Sequence, residues 1–194
     1  MIKRRQRLLK ITNGKRRILL PAVVKPIDGG SSLGISVVET EQNLKIAVKE
    51  AIHYSNHPRI IIEDKIEGRD FSVGILGNQV LPIIEMIPKT GFYDYQNKYQ
   101  KGRTEGIVPA KIDYKLADQL NVLAVKLHRI LGLSVCSRTD FLVDKNNRIF
   151  ATEINSLPSM TLNSSYSQAA GAMGLRFSEL CECIIKESLK KYEK

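Results

Sequence analysis

Residues 137–161 read SRTDFLVDKNNRIFATEINSLPSMT, and this stretch sets the expected fold of the C-terminal half. The polar run at 144–147 suits a turn, and the apolar-rich stretches on either side of it predict two antiparallel strands. Residues two apart in a strand share a face, so Glu153 and Asn155 should lie together, and strand pairing should bring Asp140 beside them. Three oxygen-bearing side chains in this arrangement suit a hard cation such as Mg²⁺ that is shared with substrate phosphates.

Arg138 lies two residues before Asp140 and should share its face. Its guanidinium would then offer a fixed positive group to a phosphoryl oxygen. An ordinary hairpin with polar residues on its solvent face would give the same local pattern, so the interpretation depends on motifs elsewhere in the chain.

Composition indicates a soluble globular protein of one domain or two small lobes, with 194 residues, 43% hydrophobic and 26% charged. The net charge is +10, but the first 17 residues hold eight of the 30 cationic residues and no acid. The remaining 22 cationic residues nearly balance the 20 acids. We interpret residues 1–17 as a solvated basic arm, because no aromatic residue interleaves with the charges as a nucleic-acid platform would require.

Neither a membrane span nor a disulfide framework is expected. No apolar run reaches transmembrane length. Cys136, Cys181 and Cys183 lack metal-ligand spacing, which favours reduced thiols in a cytoplasmic protein.

The segment 28–34, DGGSSLG, joins two short strand patterns and forms a glycine-rich loop. Its unshielded backbone amides and two hydroxyls suit a phosphate, although a flexible hairpin tip is an equally good interpretation of the loop alone. Residues 88–110 lack helix or strand periodicity, and an insertion of this length is typical of a lid or binding loop.

Helical periodicity predicts one helix capped by Thr40, a second capped by Asp113 and closed by Gly132, and two more near the C-terminus. The three histidines, His53, His57 and His128, lie on or beside these helices. They are interpreted as ordinary surface or boundary residues.

Six motifs follow one another in a recognisable order: VVKP, GGSSLGIS, IIIEDKIEGRDFSV, GFYDYQNKY, SRTDF and TEINSLPSMT. Together they resemble the D-alanine–D-alanine ligases of the ATP-grasp superfamily, from about Leu20 to the C-terminus. The resemblance implies an α+β fold of two lobes, with mainly antiparallel sheets and flanking helices. The expected divisions are a basic arm at 1–17, a partial central lobe at 18–67 and a C-terminal lobe at 68–194.

The resemblance also implies an ATP site. Lys25 and the glycine loop would contact the phosphates, Glu63 the adenine, Asp70 the ribose and Lys98 the γ-phosphate. The full set that would bind ATP is Lys25, Gly30, Ser31, Ser32, Glu63, Lys65, Ile66, Asp70 and Lys98.

Catalytic and substrate roles follow from the same resemblance. Asp140, Glu153 and Asn155 would hold two Mg²⁺ or Mn²⁺ ions. The catalytic set would be Arg138, Ser31, Tyr99 and Lys98, and the substrate set would be Ser159, Ser164 and Ser165. Ser159 departs from the family, which usually has glycine there.

The implied activity is ATP-dependent joining of two D-alanines through an acyl phosphate, for peptidoglycan precursor synthesis. The family has a further N-terminal substrate lobe with no counterpart in this sequence. A homodimer or a separate chain supplying that lobe is therefore an expected partner, besides ATP and D-alanine. The alternatives are a non-catalytic nucleotide-binding remnant and, less favoured, a basic-arm nucleic-acid-binding protein.

Overall fold

The computed structural model describes residues 10–12, 15–18, 20–28, 30, 32–57, 59–89, 104–190 and 192–193. Ser31, Lys98 and Tyr99 lie outside the described residues, as does most of the expected lid. The described residues form two compact units: the N-terminal one runs to Ile66 and also takes in Pro88, Lys89 and Thr104, and the C-terminal one is built from Glu67–Ile87 and from Glu105 onward.

The N-terminal unit contains a three-stranded antiparallel sheet covered by one helix. The sheet has the order β4-β3-β5, formed by β3 (Ala22–Pro26), β4 (Ser36–Val38) and β5 (Ile60–Asp64). Helix α1 (Glu41–His53) begins at Thr40, whose hydroxyl accepts a hydrogen bond from the Asn43 amide at 3.4 Å, as expected for this N-cap. The small side chains of α1 pack on the sheet to form a core of Val24, Val38, Ala47 and Ala51.

Within the expected basic arm the structure describes two short strands. Strands β1 (Lys10–Thr12) and β2 (Lys15–Arg17) pair antiparallel as a two-stranded ribbon, which the sequence did not predict.

The C-terminal unit is organised on a six-stranded sheet of order β11-β10-β6-β8-β9, with β7 paired to β6. Its strands are β6 (Gly68–Leu76), β7 (Gln79–Val80), β8 (Ile84–Pro88), β9 (Thr104–Ile107), β10 (Cys136–Asp144) and β11 (Ile149–Asn155). Strand β10 lies antiparallel between β6 and β11. The hairpin predicted from residues 137–161 is therefore confirmed.

Three helices cover this sheet: α2 (Tyr114–Ile130), α3 (Ser165–Ala172) and α4 (Phe177–Leu189). Phe71, Val73 and Phe141 project from one face of β6 and β10 and pack against α2. Because side chains alternate along a strand, Ser72 and Asp140 project from the opposite face. None of the helices in the described part is long and apolar enough to cross a membrane.

The burial of His128 differs from what the sequence analysis predicted. His128 is only 6% exposed, and its Nδ1 lies 2.8 Å from the hydroxyl of the fully buried Ser137. The buried positions of α2 recur every four residues at Leu116, Leu120 and Ala124, and His128 continues the series onto the sheet. Its interpretation as a surface or boundary residue was wrong, because Ser137 supplies the polar partner that makes burial tolerable.

The burial of His128 predicts acid sensitivity. Burial, followed by the nearby charge of Arg129, lowers the pKa of His128 below its usual value of 6.5. The unfolded chain therefore takes up this proton at higher pH than the folded chain, so stability is full above about pH 6.5 and is lost as pH falls through the folded-state pKa.

We expect His128→Gln to reduce this acid sensitivity, measured as the free energy of unfolding in urea at pH 8 and pH 5.5. His53→Gln, at the exposed end of α1, is the matched control and should keep the wild-type dependence. Equal pH dependence in all three proteins would contradict the prediction.

Candidate active site

The hairpin of β10 and β11 brings four polar side chains together on the sheet face opposite α2. In its register Arg138 pairs with Asn155, and Asp140 pairs with Glu153. Directly paired residues of an antiparallel ladder project from the same face, so the four groups form one cluster. The proximity predicted for Asp140, Glu153 and Asn155 is therefore observed.

A β-bulge makes this pairing possible. From the turn, Val143 pairs with Ile149 and Phe141 with Ala151, so an unbroken ladder would place Thr152 opposite Asp140. The register shifts by one residue at this point, and Glu153 takes that place instead. Without the shift, the Glu153 carboxylate would point toward the α2 side of the sheet. The Thr152 hydroxyl donates a 3.0 Å hydrogen bond to the Asp140 carbonyl and stabilises the bulge.

Asp140 is held by two neighbours. The Arg138 guanidinium donates two parallel hydrogen bonds to it, from Nε to Oδ1 at 2.8 Å and from Nη2 to Oδ2 at 2.7 Å. The hydroxyl of Ser72 on β6 donates to Oδ1 at 2.6 Å. Burial by itself would raise the pKa of Asp140, but the hydrogen bonds and charge of Arg138, with the hydrogen bond from Ser72, lower it below its ordinary value. The carboxyl group is therefore ionised at neutral pH.

Glu153 and Asn155 complete the cluster on the more exposed side. The Glu153 side chain is 51% exposed, and its Oε1 lies 3.7 Å from Arg138 Nη2. Asn155 Nδ2 donates to the same oxygen at 3.3 Å. No group of three or more His, Cys, Asp or Glu side chains converges in the described part, and this cluster instead combines two carboxylates with the Asn155 amide. Two carboxylates and an amide oxygen are the ligand types that fit Mg²⁺.

Ser72 is a site residue that sequence reasoning missed. It follows Asp70 by two positions on β6 and pairs with Asp140 across the ladder, while Asp70 pairs with Leu142. Its spacing from Asp70 was a usable signal, since both side chains must share a face. The neighbour relation of β6 and β10 was not available from the sequence.

In the N-terminal unit, Lys25 and Glu63 lie side by side. Lys25 Nζ donates to Glu63 Oε1 at 2.6 Å, with the two side chains 22% and 38% exposed. They come together because Lys25 pairs with Ile61, two residues from Glu63, on neighbouring antiparallel strands. The resemblance implied a phosphate contact for one and an adenine contact for the other, and both assignments stay predictions.

The glycine-rich loop is fixed at its two ends. Ser32 and Gly34 have positive φ values of 61° and 71°, and a Cβ at Gly34 would meet Tyr54 at 2.9 Å, so only glycine fits there. Asp28 accepts hydrogen bonds from the Ser55 hydroxyl and the Asn56 amide. Gly30, between these anchors, is exposed.

Two further expected ATP contacts, Lys65 and Ile66, lie at the end of the N-terminal unit. The amide of Lys65 donates to the Pro21 carbonyl at 3.1 Å, so this amide hydrogen is engaged within the unit. Ile66 follows it outside any strand. Their adenine contact stays a prediction.

The three serines expected to meet the substrate occupy the segment after β11. Ser159 is exposed. Ser164 caps α3, accepting from the Ser167 amide at 3.2 Å, and Ser165 is only 8% exposed. Their substrate roles stay predictions.

Comparison with known proteins decides the family. A family profile described as "D-ala D-ala ligase C-terminus" matches residues 2–186. The chain belongs to this family. Curated D-alanine–D-alanine ligases from Syntrophotalea carbinolica and Aquifex aeolicus are each 40% identical to it, over 88% and 85% of the chain. The alignments cover 55% of each relative, so this chain spans about half the length of the ligases it matches.

Solved structures agree on the fold. The crystal structure of D-alanine–D-alanine ligase from Bacillus anthracis matches 90% of the chain, with a TM-score of 0.77 and 31% identity, over 57% of its own length. The same enzyme complexed with ATP gives a TM-score of 0.74 at 27% identity, over 90% of this chain and 55% of that one. This D-alanine–D-alanine ligase C-terminal family member thus has the α+β ATP-grasp fold that its motifs indicate.

Proposed function

We propose that the chain binds ATP with Mg²⁺ and carries out the phosphoryl-transfer chemistry of a D-alanine–D-alanine ligase. One observation carries the proposal: Arg138, Asp140, Glu153 and Asn155 meet on one face of a hairpin whose register is shifted by a bulge. Family membership supports it, as does the ATP complex of the Bacillus anthracis ligase.

In the proposed reaction, a carboxylate oxygen of the first D-alanine takes the γ-phosphoryl group of ATP, leaving ADP and an acyl phosphate. The amine of a second D-alanine, deprotonated by solvent, then attacks the acyl carbon. Phosphate leaves with the bonding electron pair, and the nitrogen gives up a further proton to solvent as the amide forms. Such transfer depends on positioning and on neutralising charge, so it requires no nucleophilic side chain.

The residues of the hairpin fit this chemistry. Asp140, Glu153 and Asn155 would hold the Mg²⁺ ions, which when bound would neutralise phosphate charge. Arg138 is fixed by Asp140 yet lies at the partly exposed edge of the cluster, 16% exposed, where its positive charge could stabilise the phosphoryl oxygens. Holding the guanidinium before substrate arrives reduces the reorganisation required during transfer.

Further contacts are proposed by resemblance to the family. The proposed ATP contacts are Lys25, Gly30, Ser31, Ser32, Glu63, Lys65, Ile66, Asp70 and Lys98, and the proposed contacts to the amino acids are Tyr99, Ser159, Ser164 and Ser165.

The test supplies the purified full chain with ATP, Mg²⁺ and D-alanine. Calorimetry measures ATP binding with Mg²⁺ and with EDTA, while phosphate release and dipeptide formation measure turnover. We expect Mg²⁺-dependent ATP binding and dipeptide. Binding without phosphate release or dipeptide would support the non-catalytic alternative, and no nucleotide binding would reject both.

A further inference from the structure

The two oxygens of the Asp140 carboxylate are unequally engaged. Oδ1 accepts hydrogen bonds from both the Ser72 hydroxyl, at 2.6 Å, and Arg138 Nε, at 2.8 Å. Oδ2 accepts one hydrogen bond from Arg138, from Nη2 at 2.7 Å. Since a carboxylate oxygen has two lone pairs, Ser72 and Arg138 together saturate Oδ1, whereas the Arg138 hydrogen bond fills one of the two acceptor sites of Oδ2.

Ser72 creates this asymmetry. Without its hydroxyl, Arg138 would engage each oxygen once, and both oxygens would keep an equivalent open site. Ser72 is only 6% exposed and lies between Phe71 and Val73, whose side chains are anchored in the core against α2. Its strand is therefore rigidly placed, and the hydroxyl has little freedom to release Asp140.

The number of oxygens that one carboxylate can donate affects which divalent cation it coordinates best. Mg²⁺ requires a near-ideal octahedron, which a carboxylate serves best through one oxygen, whereas Ca²⁺ accepts two-oxygen binding in a looser and larger shell.

We propose that Ser72 is a positioning residue that makes Asp140 a one-oxygen ligand and thereby favours Mg²⁺ over Ca²⁺ at this site. The inference rests on the proposed function, since it assumes that the hairpin cluster holds the cation of a metal–ATP complex.

The experiment measures the dissociation constants of Mg-ATP and Ca-ATP for the full chain by calorimetry, each at saturating metal. In Ser72→Ala we expect the Mg-ATP constant to rise about tenfold, as is typical when a side chain that orients a metal ligand is removed, while the Ca-ATP constant changes less than about threefold. If Ser72→Ala folds poorly, Ser72→Cys takes its place in the test. Cysteine is close to serine in volume but donates only weakly, so the same changes in the two dissociation constants are expected.

Two controls separate ion selection from a general loss of structure. Ser72→Thr keeps the hydroxyl and should keep the wild-type ratio of the two constants. Ser137→Ala removes a buried serine from the α2 side of the neighbouring strand, where it contacts His128, and should also leave the ratio unchanged.

The outcomes are distinct. An equal rise for both complexes, or no change in either, in Ser72→Ala and Ser72→Cys would overturn the role of Ser72 alone. A wild-type chain that binds neither complex would overturn the proposed function, and the inference with it.

Discussion

Asp140→Asn is expected to weaken Mg²⁺-dependent ATP binding at least about a hundredfold, because it removes a ligand charge and also disturbs the guanidinium that the carboxylate holds. The substitution keeps the size of the side chain, so the loss would not reflect a cavity. Calorimetric titration of ATP in Mg²⁺ and in EDTA measures the effect. Any ATP binding that the wild type shows in EDTA should be unchanged in the variant.

Asp144→Asn is the matched control for this prediction. Asp144 is a carboxylate on the same strand, only 7% exposed, and it is paired with Arg148 at 2.5 Å near the hairpin turn. Removing the charge of Asp144 should lower the free energy of unfolding, while the affinity for ATP stays within a few-fold of the wild type. Equal losses of ATP affinity in the two variants would show that the hairpin merely needs to fold, and would contradict a specific role for Asp140.

Arg138→Met should lower the free energy of unfolding by about 3 kcal/mol, the usual cost of leaving one half of a buried ion pair without its partner. The Arg138 and Asp140 side chains are 16% and 19% exposed, so solvent screens them weakly. In the variant, the Asp140 carboxylate would face Glu153 across the ladder with no cation from Arg138 beside it. Urea unfolding at pH 7 measures the change.

A double-mutant cycle identifies the cause of this loss. Arg138→Met combined with Asp140→Asn should cost clearly less than the two single substitutions added together, because the neutral amide has no charge to leave unpaired. Additive costs would show that the pair is not coupled. Arg176→Met, at an exposed pair that caps α4, should change stability little.

The local structure could be predicted where it depends on neighbours in sequence. Thr40 and Asp113 cap their helices as expected, because N-caps require only a side-chain oxygen and a following helical turn. The antiparallel hairpin that carries Asp140 was predictable for a similar reason: a polar turn between two apolar strands favours one pairing partner.

The features that could not be predicted depend on which elements lie side by side. Ser72 meets Asp140, and Ser137 meets His128, only because β10 lies next to β6 and under α2. The bulge at Thr152 leaves no mark in the sequence, since its extra residue is an ordinary strand former. Lys25 and Glu63 were assigned separate roles, and their ion pair follows from a strand register that composition does not encode.

The hairpin cluster is expected to bind the cation of a metal–ATP complex. The most direct measurement is diffraction from crystals of the full chain grown with Mn²⁺ and a non-hydrolysable ATP analogue, recorded at the manganese absorption edge. We predict an anomalous peak within coordination distance of Asp140, Glu153 and Asn155, with analogue phosphate oxygens on its other side. Bound analogue with manganese located only elsewhere, or with no manganese at this hairpin, would contradict the claim.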